Sequence, residues 1–340
     1  MNELITRRRF NGLLAGVAAS PFYIGGARAA DPLRMRISVD VAGTHNRAKF
    51  MQKYADLLNQ RSKGALLVEV MHSGQLFKDR DVPRALRQGA LEMGCPATWF
   101  LSSLDPNLDL FDSTVVYGVS EDRLYNMLKG KAGVEINASV EGKFGVKLLG
   151  EWFGHAPSHF LSVSKPVNGI PDMAGLKVRI PGGAGTAAIV RAFKASPVQA
   201  PWPDVPMALN AGTFDAVITG NDGVVSAKLW DAGIKHAYFN HMHFSFYLPM
   251  VSGTFWQKLN PGLQKLLLDT WAEIRPEGRA ASRVNDDAAA AEMEKHGIKV
   301  VRPSDAELAA HRKMLLASVD LAKETRISPA LIKLATDALQ

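Results

Sequence analysis

Strand and helix patterns alternate in two separate stretches of this sequence, an order that few folds accommodate. In the first stretch, residues 33–40 alternate apolar and polar side chains, as a strand with one buried face does. Further elements are predicted in the order helix, strand, helix and strand, at residues 46–63, 65–71, 82–89 and 90–94. Because strand–helix–strand units build parallel sheets with right-handed crossovers, this stretch predicts an α/β lobe.

The second stretch repeats this order and then becomes helical. Strands are predicted at 176–180, 196–200 and 213–218, helices at 186–193 and 204–211, and long helical regions at 261–296 and 305–325. Asp204 is expected to cap the helix that it begins. Two lobes of this kind commonly clamp a small ligand between them, so we predict a two-lobe α/β fold.

Composition and net charge limit the classes of function that this chain can have. The chain has 340 residues, of which 47% are hydrophobic, enough for a sizeable core. Its formal charge is +7, but four arginines and one glutamate precede residue 30, which leaves +4 for the rest. This modest excess without a basic arm favours small anionic ligands over nucleic acid. The single cysteine, Cys95, excludes an intramolecular disulfide and thiolate metal clusters, and we predict it to be a buried apolar residue.

The first 29 residues have the pattern of an export signal. Residues 6–10 read Thr-Arg-Arg-Arg-Phe, an apolar stretch at 13–27 follows, and Ala27-Arg28-Ala29 supplies a small-x-small cleavage site. The apolar stretch is too short for a membrane span. The paired arginines resemble a twin-arginine signal, and an ordinary secretory signal is the alternative. We therefore predict a signal peptide at 1–29, cleavage near Ala29 and a mature protein in a bacterial periplasm.

A glycine-rich loop offers an alternative function. Gly183-x-Gly185-x-x-Ala188 lies between a predicted strand and helix, and Asp204 follows at about the distance of a ribose-binding acid. This pattern would fit an exported, nucleotide-dependent oxidoreductase. However, the preceding strand carries Lys177 and Arg179 on one face, whereas the first strand of a dinucleotide-binding domain is apolar throughout. We therefore favour a strand that ends at a polar cleft.

Arg179 is the strongest candidate for a ligand-binding residue in this cleft. It lies at the carboxyl end of a predicted parallel strand, where α/β sheets bind their ligands. A guanidinium binds a carboxylate with two parallel hydrogen bonds and stays charged at neutral pH. The alternative is a surface arginine paired with an acidic residue.

The histidines and potential nucleophiles indicate neither a metal site nor catalysis. His155 and His159 have helical spacing, but Pro157 lies between them. His241 and His243 would share one side of a strand, yet no third ligand is obvious nearby. No nucleophile elbow and no clear Ser-His-Asp set is present in the sequence. We therefore predict no metal site and no cofactor, and these residues assign no catalytic group.

Several motifs resemble the substrate-binding proteins of tripartite ATP-independent periplasmic (TRAP) transporters, of the DctP type. They occur in order along nearly the whole mature chain: His45, Ser73-Gly74-Gln75-Leu76, Lys165-Pro166-Val167, the segment 172–181 (Asp-Met-Ala-Gly-Leu-Lys-Val-Arg-Ile-Pro), the segment 208–215 (Ala-Leu-Asn-Ala-Gly-Thr-Phe-Asp), Asn240-His241 and Trp256-Gln257-Lys258-Leu259. Agreement in order and spacing is more specific than any single motif.

The resemblance implies a fold like that of periplasmic binding proteins. Two βαβ lobes are joined by a hinge and spanned by a long C-terminal helix, with lobe I at 30–157 and 244–284 and lobe II at 158–243 and 285–340. It also implies a monomer without enzymatic activity, which captures a small organic acid between its lobes and delivers it unchanged to a TRAP-type membrane permease.

The same resemblance implies a set of ligand contacts. Arg179 matches the family arginine that pairs with the ligand carboxylate, and Thr219, counted from Asp215, matches a polar position facing the ligand. Phe160 stands where some members have a second arginine, which favours a less charged or aromatic ligand. The full set of candidate contacts is Arg179, Thr219, its neighbour Asn221, Thr44 and Trp99 from the opposite lobe, Phe160 and His159. Pro276 and Gly278 are expected to kink the long helix.

Overall fold

The computed structural model describes residues 31–163 and 165–339, so the predicted signal peptide lies outside the described residues. Within them the strands are β1 (Leu33–Ser38), β2 (Leu66–Met71), β3 (Met93–Gly94), β4 (Val146–Leu148), β5 (Phe153–Ser162), β6 (Lys177–Ile180), β7 (Ser196–Gln199), β8 (Ala216–Thr219), β9 (His236–Tyr247), β10 (Met250–Ser252) and β11 (Lys299–Val301).

Helices connect and cover these strands. They are α1 (Asn46–Arg61), α2 (Val82–Arg87), α3 (Thr98–Leu101), α4 (Glu121–Lys129), α5 (Lys131–Phe144), α6 (Ala184–Ala192), α7 (Val205–Asn210), α8 (Asn221–Ser226), α9 (Gly253–Trp256), α10 (Pro261–Lys295), α11 (Asp305–Ser318), α12 (Leu321–Thr325) and α13 (Pro329–Ala338). Short 3-10 segments occur at Asp79–Asp81, Pro106–Asp112, Ile170–Met173 and Trp202–Asp204.

The strands form two sheets. The first has the order β2-β1-β3-β10-β4, and the second has the order β11-β9-β5-β8-β6-β7. β1 runs parallel to β2 and β3, and β6 runs parallel to β7 and β8, as expected of strands joined through helices. The predicted α/β class with two lobes is confirmed.

The two sheets are linked by the long antiparallel pair β5 and β9. Phe153 pairs with Tyr247 at one end and Ser162 pairs with His236 at the other. Tyr247 also bridges to Ala97, so the pair extends from the second sheet to the segment after β3. The predicted lobe borders at 157/158, 243/244 and 284/285 fall inside β5, β9 and α10, and these borders stay a prediction.

The longest helix, α10, contacts elements of both sheets. It packs against α1, against β5 and against α8. Arg279 and Arg283 on this helix each pair with Glu121 and Asp122 of α4. The helix runs through Pro276 without interruption, so the predicted long helix is confirmed as one element. Among the described residues, no helix is long and apolar enough to cross a membrane.

Gly278 shows why α10 tolerates a glycine in its interior. A Cβ atom at this position would overlap the ring of Phe50. That ring cannot move aside easily, because it stacks on Phe153 at 4.6 Å and meets the edge of Trp271 at 5.4 Å. Glycine therefore lets α10 approach α1 closely.

The variant Gly278→Ala is expected to destabilise the protein although alanine is the better helix former. Overpacking against Phe50 should lower the free energy of unfolding by about 1–3 kcal/mol. A methyl group at Gly142 in α5 would meet no other atom within 4 Å, so Gly142→Ala should instead raise it by about 0.5–1 kcal/mol. Urea denaturation followed by circular dichroism measures both, and a stabilised Gly278→Ala variant would contradict this packing argument.

Some local predictions differ from the structure. The strand predicted at 90–94 is only the two residues of β3, and the helix predicted at 305–325 is divided into α11 and α12. Asp204 precedes α7 as expected, but its side chain makes no capping hydrogen bond. At the start of α11, by contrast, the Ser304 side chain accepts the backbone N–H of Glu307, and the Glu307 side chain accepts the backbone N–H of Ser304. Cys95 is buried as predicted.

Candidate functional site

A cavity lies between the two sheets, beside the strands that link them. The empty space within it is about 560 Å³, open solvent at its mouth included. The side of the first sheet contributes Asp40, Arg47 and Asp79, and the side of the second sheet contributes Arg179 and Thr219. Each of these residues lies at the carboxyl end of a parallel strand or in the segment that follows one. The carboxyl ends of parallel strands meet at one edge of a sheet, so these residues come together at the cavity.

Arg179 is held in the cavity wall by backbone carbonyls. It is 3% exposed and lies on β6, between β7 and β8. Its Nε and Nη2 donate to the carbonyl oxygen of Ala200 at 3.0 and 2.8 Å, and Nη1 donates to that of Ile218 at 3.4 Å. The ring of Trp202 lies 5.5 Å from the guanidinium carbon. Among residues 31–163 and 165–339, no carboxylate forms an ion pair with this guanidinium.

Burial therefore leaves a cation without a counter-charge. Desolvation lowers the pKa of Arg179 to about 9, against the smaller raising effect of Asp40. The guanidinium is still charged at neutral pH. An anion that entered the cavity would neutralise it in a setting of low dielectric, where charge-assisted hydrogen bonds are strong.

Arg47 forms a second, self-contained charge cluster on the opposite wall. It is 2% exposed, pairs with Asp40, and donates from Nη1 to Asp79 Oδ2 at 2.9 Å. The ring of Tyr247 lies 4.1 Å from its guanidinium carbon. Burial, and then the charge of Asp40, raise the pKa of Asp79 to about 8, above the opposing effect of Arg47. The positive charge of Arg47 is thus compensated inside the cluster by Asp40 and Asp79.

Two histidines and an aspartate meet at the edge of the cavity. His45 Nδ1 lies 3.5 Å from Asp222 Oδ2, and His155 Nε2 lies 3.7 Å from the same oxygen. Desolvation lowers the pKa of both imidazoles, that of His155 to about 3, so both are neutral. Asp222 also accepts the backbone N–H of Asn46 at 3.2 Å, which links α8 to the start of α1.

The glycine-rich loop at 182–185 does not form a phosphate site. A Cβ atom on Gly185 would lie 2.8 Å from the carbonyl oxygens of both Asp109 and Asp112, so the loop is packed against that segment. The side chain of Asp109 accepts the backbone N–H of Ala184 at 3.0 Å, at the N-terminus of α6. A carboxylate of the protein itself thus occupies the position that a phosphate would need. The alternative of a nucleotide-dependent oxidoreductase depended on this loop as a phosphate site, so the structure does not support it.

The structure brings three of the predicted contacts together. Arg179, Thr219 and Trp99 all line the cavity. Their contact with a ligand stays a prediction, but their positions agree with it.

The other four predicted contacts do not line this cavity in the structure. Phe160 is fully buried in the core of the second sheet, and Thr44 is exposed outside the cavity. His159 stacks on Phe239 at 4.2 Å and lines a separate groove together with Asn221. Only Phe160 among these four rests on a family position, and that position does not bring its side chain to the cavity.

Sequence reasoning missed most of the polar wall. The cavity residues that it did not predict include Asp40, His45, Arg47, Asp79, His155, Ser158, Ser245 and Tyr247. Asp40 could have been found, because it follows the first predicted strand at its carboxyl end. Arg47 lies within an amphipathic helical pattern, where an arginine is expected to face solvent, so the sequence carried no signal for its burial.

Comparisons with known proteins agree with this geometry. The family model of bacterial extracellular solute-binding proteins, family 7, matches residues 37–325. A C4-dicarboxylate-binding periplasmic protein DctP of Rhodobacter capsulatus is 27% identical over 271 residues, which cover 77% of this chain and 79% of that protein. The 2,3-diketo-L-gulonate-binding periplasmic protein YiaO of Escherichia coli is 25% identical over 292 residues, 86% of each chain.

A solved structure shows the same fold at lower identity. The sugar acid binding protein DctPAm of Advenella mimigardefordensis, in complex with galactonate, superposes with a TM-score of 0.83. The match covers 91% of this chain and 98% of that chain at 18% sequence identity. The similarity therefore extends over both sheets and the long helix.

Proposed function

Because the chain belongs to the bacterial extracellular solute-binding proteins of family 7, we propose that its cavity is a receptor site for a small organic acid held by one carboxylate. The observation that carries this proposal is the guanidinium of Arg179, which is buried, charged and without an acidic partner among the described residues. A carboxylate matches both its charge and its planar donor geometry.

The charges around the cavity favour one carboxylate over two. The charge of Arg47 is compensated by its ion pairs with Asp40 and Asp79, and the imidazoles of His45 and His155 are neutral. Arg179 is then the one uncompensated positive charge on the described cavity wall. A second carboxylate would enter a buried site in which the protein's own side chains supply no further cation, at a large desolvation cost.

The remaining wall suits a polar carbon chain. Ser158 and Ser245, whose hydroxyls lie 3.1 Å apart, and Thr219 offer hydroxyl groups to the cavity. The indole N–H of Trp99 is buried and has no hydrogen-bond partner within the described part of the chain. A ligand hydroxyl or carbonyl would satisfy it. We therefore propose a hydroxylated or keto monocarboxylic acid, the class that includes the galactonate bound by the DctPAm structure.

Binding to a matched panel tests the proposal. Calorimetric titration would compare hydroxy monoacids of three to six carbons with the corresponding diacids and with the amides of the monoacids. We expect a monoacid to bind tightest, and its amide to bind at least about 100-fold more weakly because the interaction with Arg179 is charge-assisted. A panel whose tightest member is an amide or a diacid would contradict the proposal.

The same family membership supports a role in transport. We propose that the receptor acts in the periplasm as a monomer, releases its ligand unchanged to a TRAP-type permease, and has no enzymatic activity. The two lobes, with borders at 157/158, 243/244 and 284/285, would close on the ligand about β5 and β9, which are the long strands that link the two sheets.

A further inference from the structure

A group of potential metal ligands lies at the edge of the cavity and is not explained by carboxylate binding. His45, His155 and Asp222 each offer a ligand atom, and these atoms all lie within 4.8 Å of one another. The three residues come from different elements: the residue before α1, the strand β5 and the helix α8. Neither imidazole is hydrogen-bonded to the carboxylate, at separations of 3.5 and 3.7 Å.

These separations suit an ion placed between the three groups. In a tetrahedral site with metal–ligand bonds of about 2.0–2.2 Å, neighbouring ligand atoms lie about 3.3–3.5 Å apart. Two imidazoles and one carboxylate form a known ligand set for zinc sites that leave a fourth position open. Small shifts of the side chains would bring the two nitrogens and the oxygen to these distances.

Burial and hydrogen bonding also leave ligand capacity unused. His155 is 7% exposed, and its Nε2, the nitrogen nearest to Asp222, makes no hydrogen bond with another side chain or backbone group among the residues described. His45 Nδ1 accepts the N–H of Arg47 at 3.1 Å. A metal ion at this nitrogen would replace the neutral hydrogen bond from Arg47. That hydrogen bond is weaker than a metal–nitrogen bond. The guanidinium of Arg47 is directed to Asp40 and Asp79, so its charge is already compensated.

We propose that His45, His155 and Asp222 bind one divalent transition-metal ion that prefers imidazole nitrogen, with Zn²⁺ as the reference ion. Because His45 and His155 also line the cavity, the fourth position of the ion faces the ligand space. An oxygen of the bound acid or a water molecule would fill it. The ion would also tie α8 to the start of α1, on opposite sides of the cavity.

The test uses mature protein without a polyhistidine tag, stripped with a chelator and kept free of organic acid. Zn²⁺ is titrated in competition with a chromophoric chelator, and Co²⁺ binding is followed by its visible absorption. We expect one ion per chain and the strong absorption of tetrahedral Co²⁺. Because loss of outer partners alone weakens metal sites 10–100-fold, His155→Ala and Asp222→Asn should each weaken Zn²⁺ binding by more than about 100-fold.

The control is His72→Ala, because His72 is exposed and lies outside the cluster. It should keep the affinity and the spectrum of the wild type. Asp222→Asn preserves the shape of the side chain, and circular dichroism verifies that each variant is folded. The proposal is overturned if the wild-type chain binds no Zn²⁺ at one-to-one stoichiometry, or if folded Asp222→Asn binds as the wild type does. Since no organic acid is present, neither result bears on the carboxylate site of Arg179.

Discussion

Arg179→Met is expected to abolish binding of the organic acid while the protein stays folded. Removing one partner of a buried, hydrogen-bonded charge pair costs about 2–5 kcal/mol of binding free energy, or roughly 30-fold to several thousand-fold in affinity. The loss should lie near the upper end, because Arg179 is the one uncompensated cation on the described cavity wall. Calorimetric titration with the tightest monoacid of the panel measures it.

The folded state of this variant should not suffer in proportion. The donors of Arg179 are directed to two backbone carbonyls, so its removal leaves no buried carboxylate unpaired. Its pKa in the folded protein, about 9, is below the ordinary value of 12.5. At pH 7 the folded protein therefore carries the full desolvation cost of the charge, and that cost decreases only as the pH rises toward and above 9. Methionine fills a similar length without this cost.

Two further variants make the result specific. Arg179→Lys keeps the charge but loses the two parallel donors, and it should bind with intermediate affinity. Arg191→Met on α6 removes an exposed arginine that pairs with Glu324, and it should bind as the wild type does. If Arg179→Met bound the acid with unchanged affinity, the carboxylate could not be held by this guanidinium.

The sequence could predict that Arg179 lies on the wall of a cavity, but not that Phe160 is buried in the core. β6 is a short, regular parallel strand, so its alternation and its carboxyl end could be read from Leu176, Val178 and Ile180. β5 instead shifts its register against β9 between Gly154 and Pro157 and again between Ser158 and Phe160. Each irregularity changes which face of the sheet the following side chains occupy. The local sequence pattern does not predict these shifts.

The polar wall could not be predicted for a different reason. His45, His155 and Asp222 are far apart in the chain and meet only because α1, β5 and α8 converge at the cavity. Metal ligands are usually recognised from their spacing within one helix or strand. Residues on three different elements have no such spacing, so the sequence does not predict this cluster. The order of elements, by contrast, is a local property, which explains why the two-lobe α/β class could be predicted from the sequence.

The cluster of Arg47, Asp40 and Asp79 should be the most sensitive point of the fold. Arg47→Met leaves two buried carboxyl groups without their cation, and breaking a buried ion pair in this way costs about 3–5 kcal/mol of the free energy of unfolding. The lost packing of the guanidinium on Tyr247 adds to the effect. Urea denaturation at pH 8, followed by tryptophan fluorescence, should show the loss directly.

The stability of the wild-type protein should decrease from pH 5 to pH 8, and the sign follows from Asp79. Its pKa of about 8 in the folded protein is above the ordinary value of 3.8, so the folded state binds more protons than the unfolded state between these values. The contribution of this group to stability is therefore fully present below about pH 4 and is lost as the pH rises toward 8. Urea denaturation of the wild-type protein at pH 5 and at pH 8 measures this change.

A charge-neutral version of the cluster separates charge from packing. The triple variant Arg47→Met, Asp40→Asn, Asp79→Asn removes all three charges, and it should recover most of the stability that Arg47→Met loses, because a buried ion cluster often contributes little net stability over neutral replacements. Its stability should also no longer decrease as the pH rises from 5 to 8. If the triple variant were as unstable as Arg47→Met at both pH values, the packing of the arginine side chain, and not the unpaired carboxylates, would be the cause.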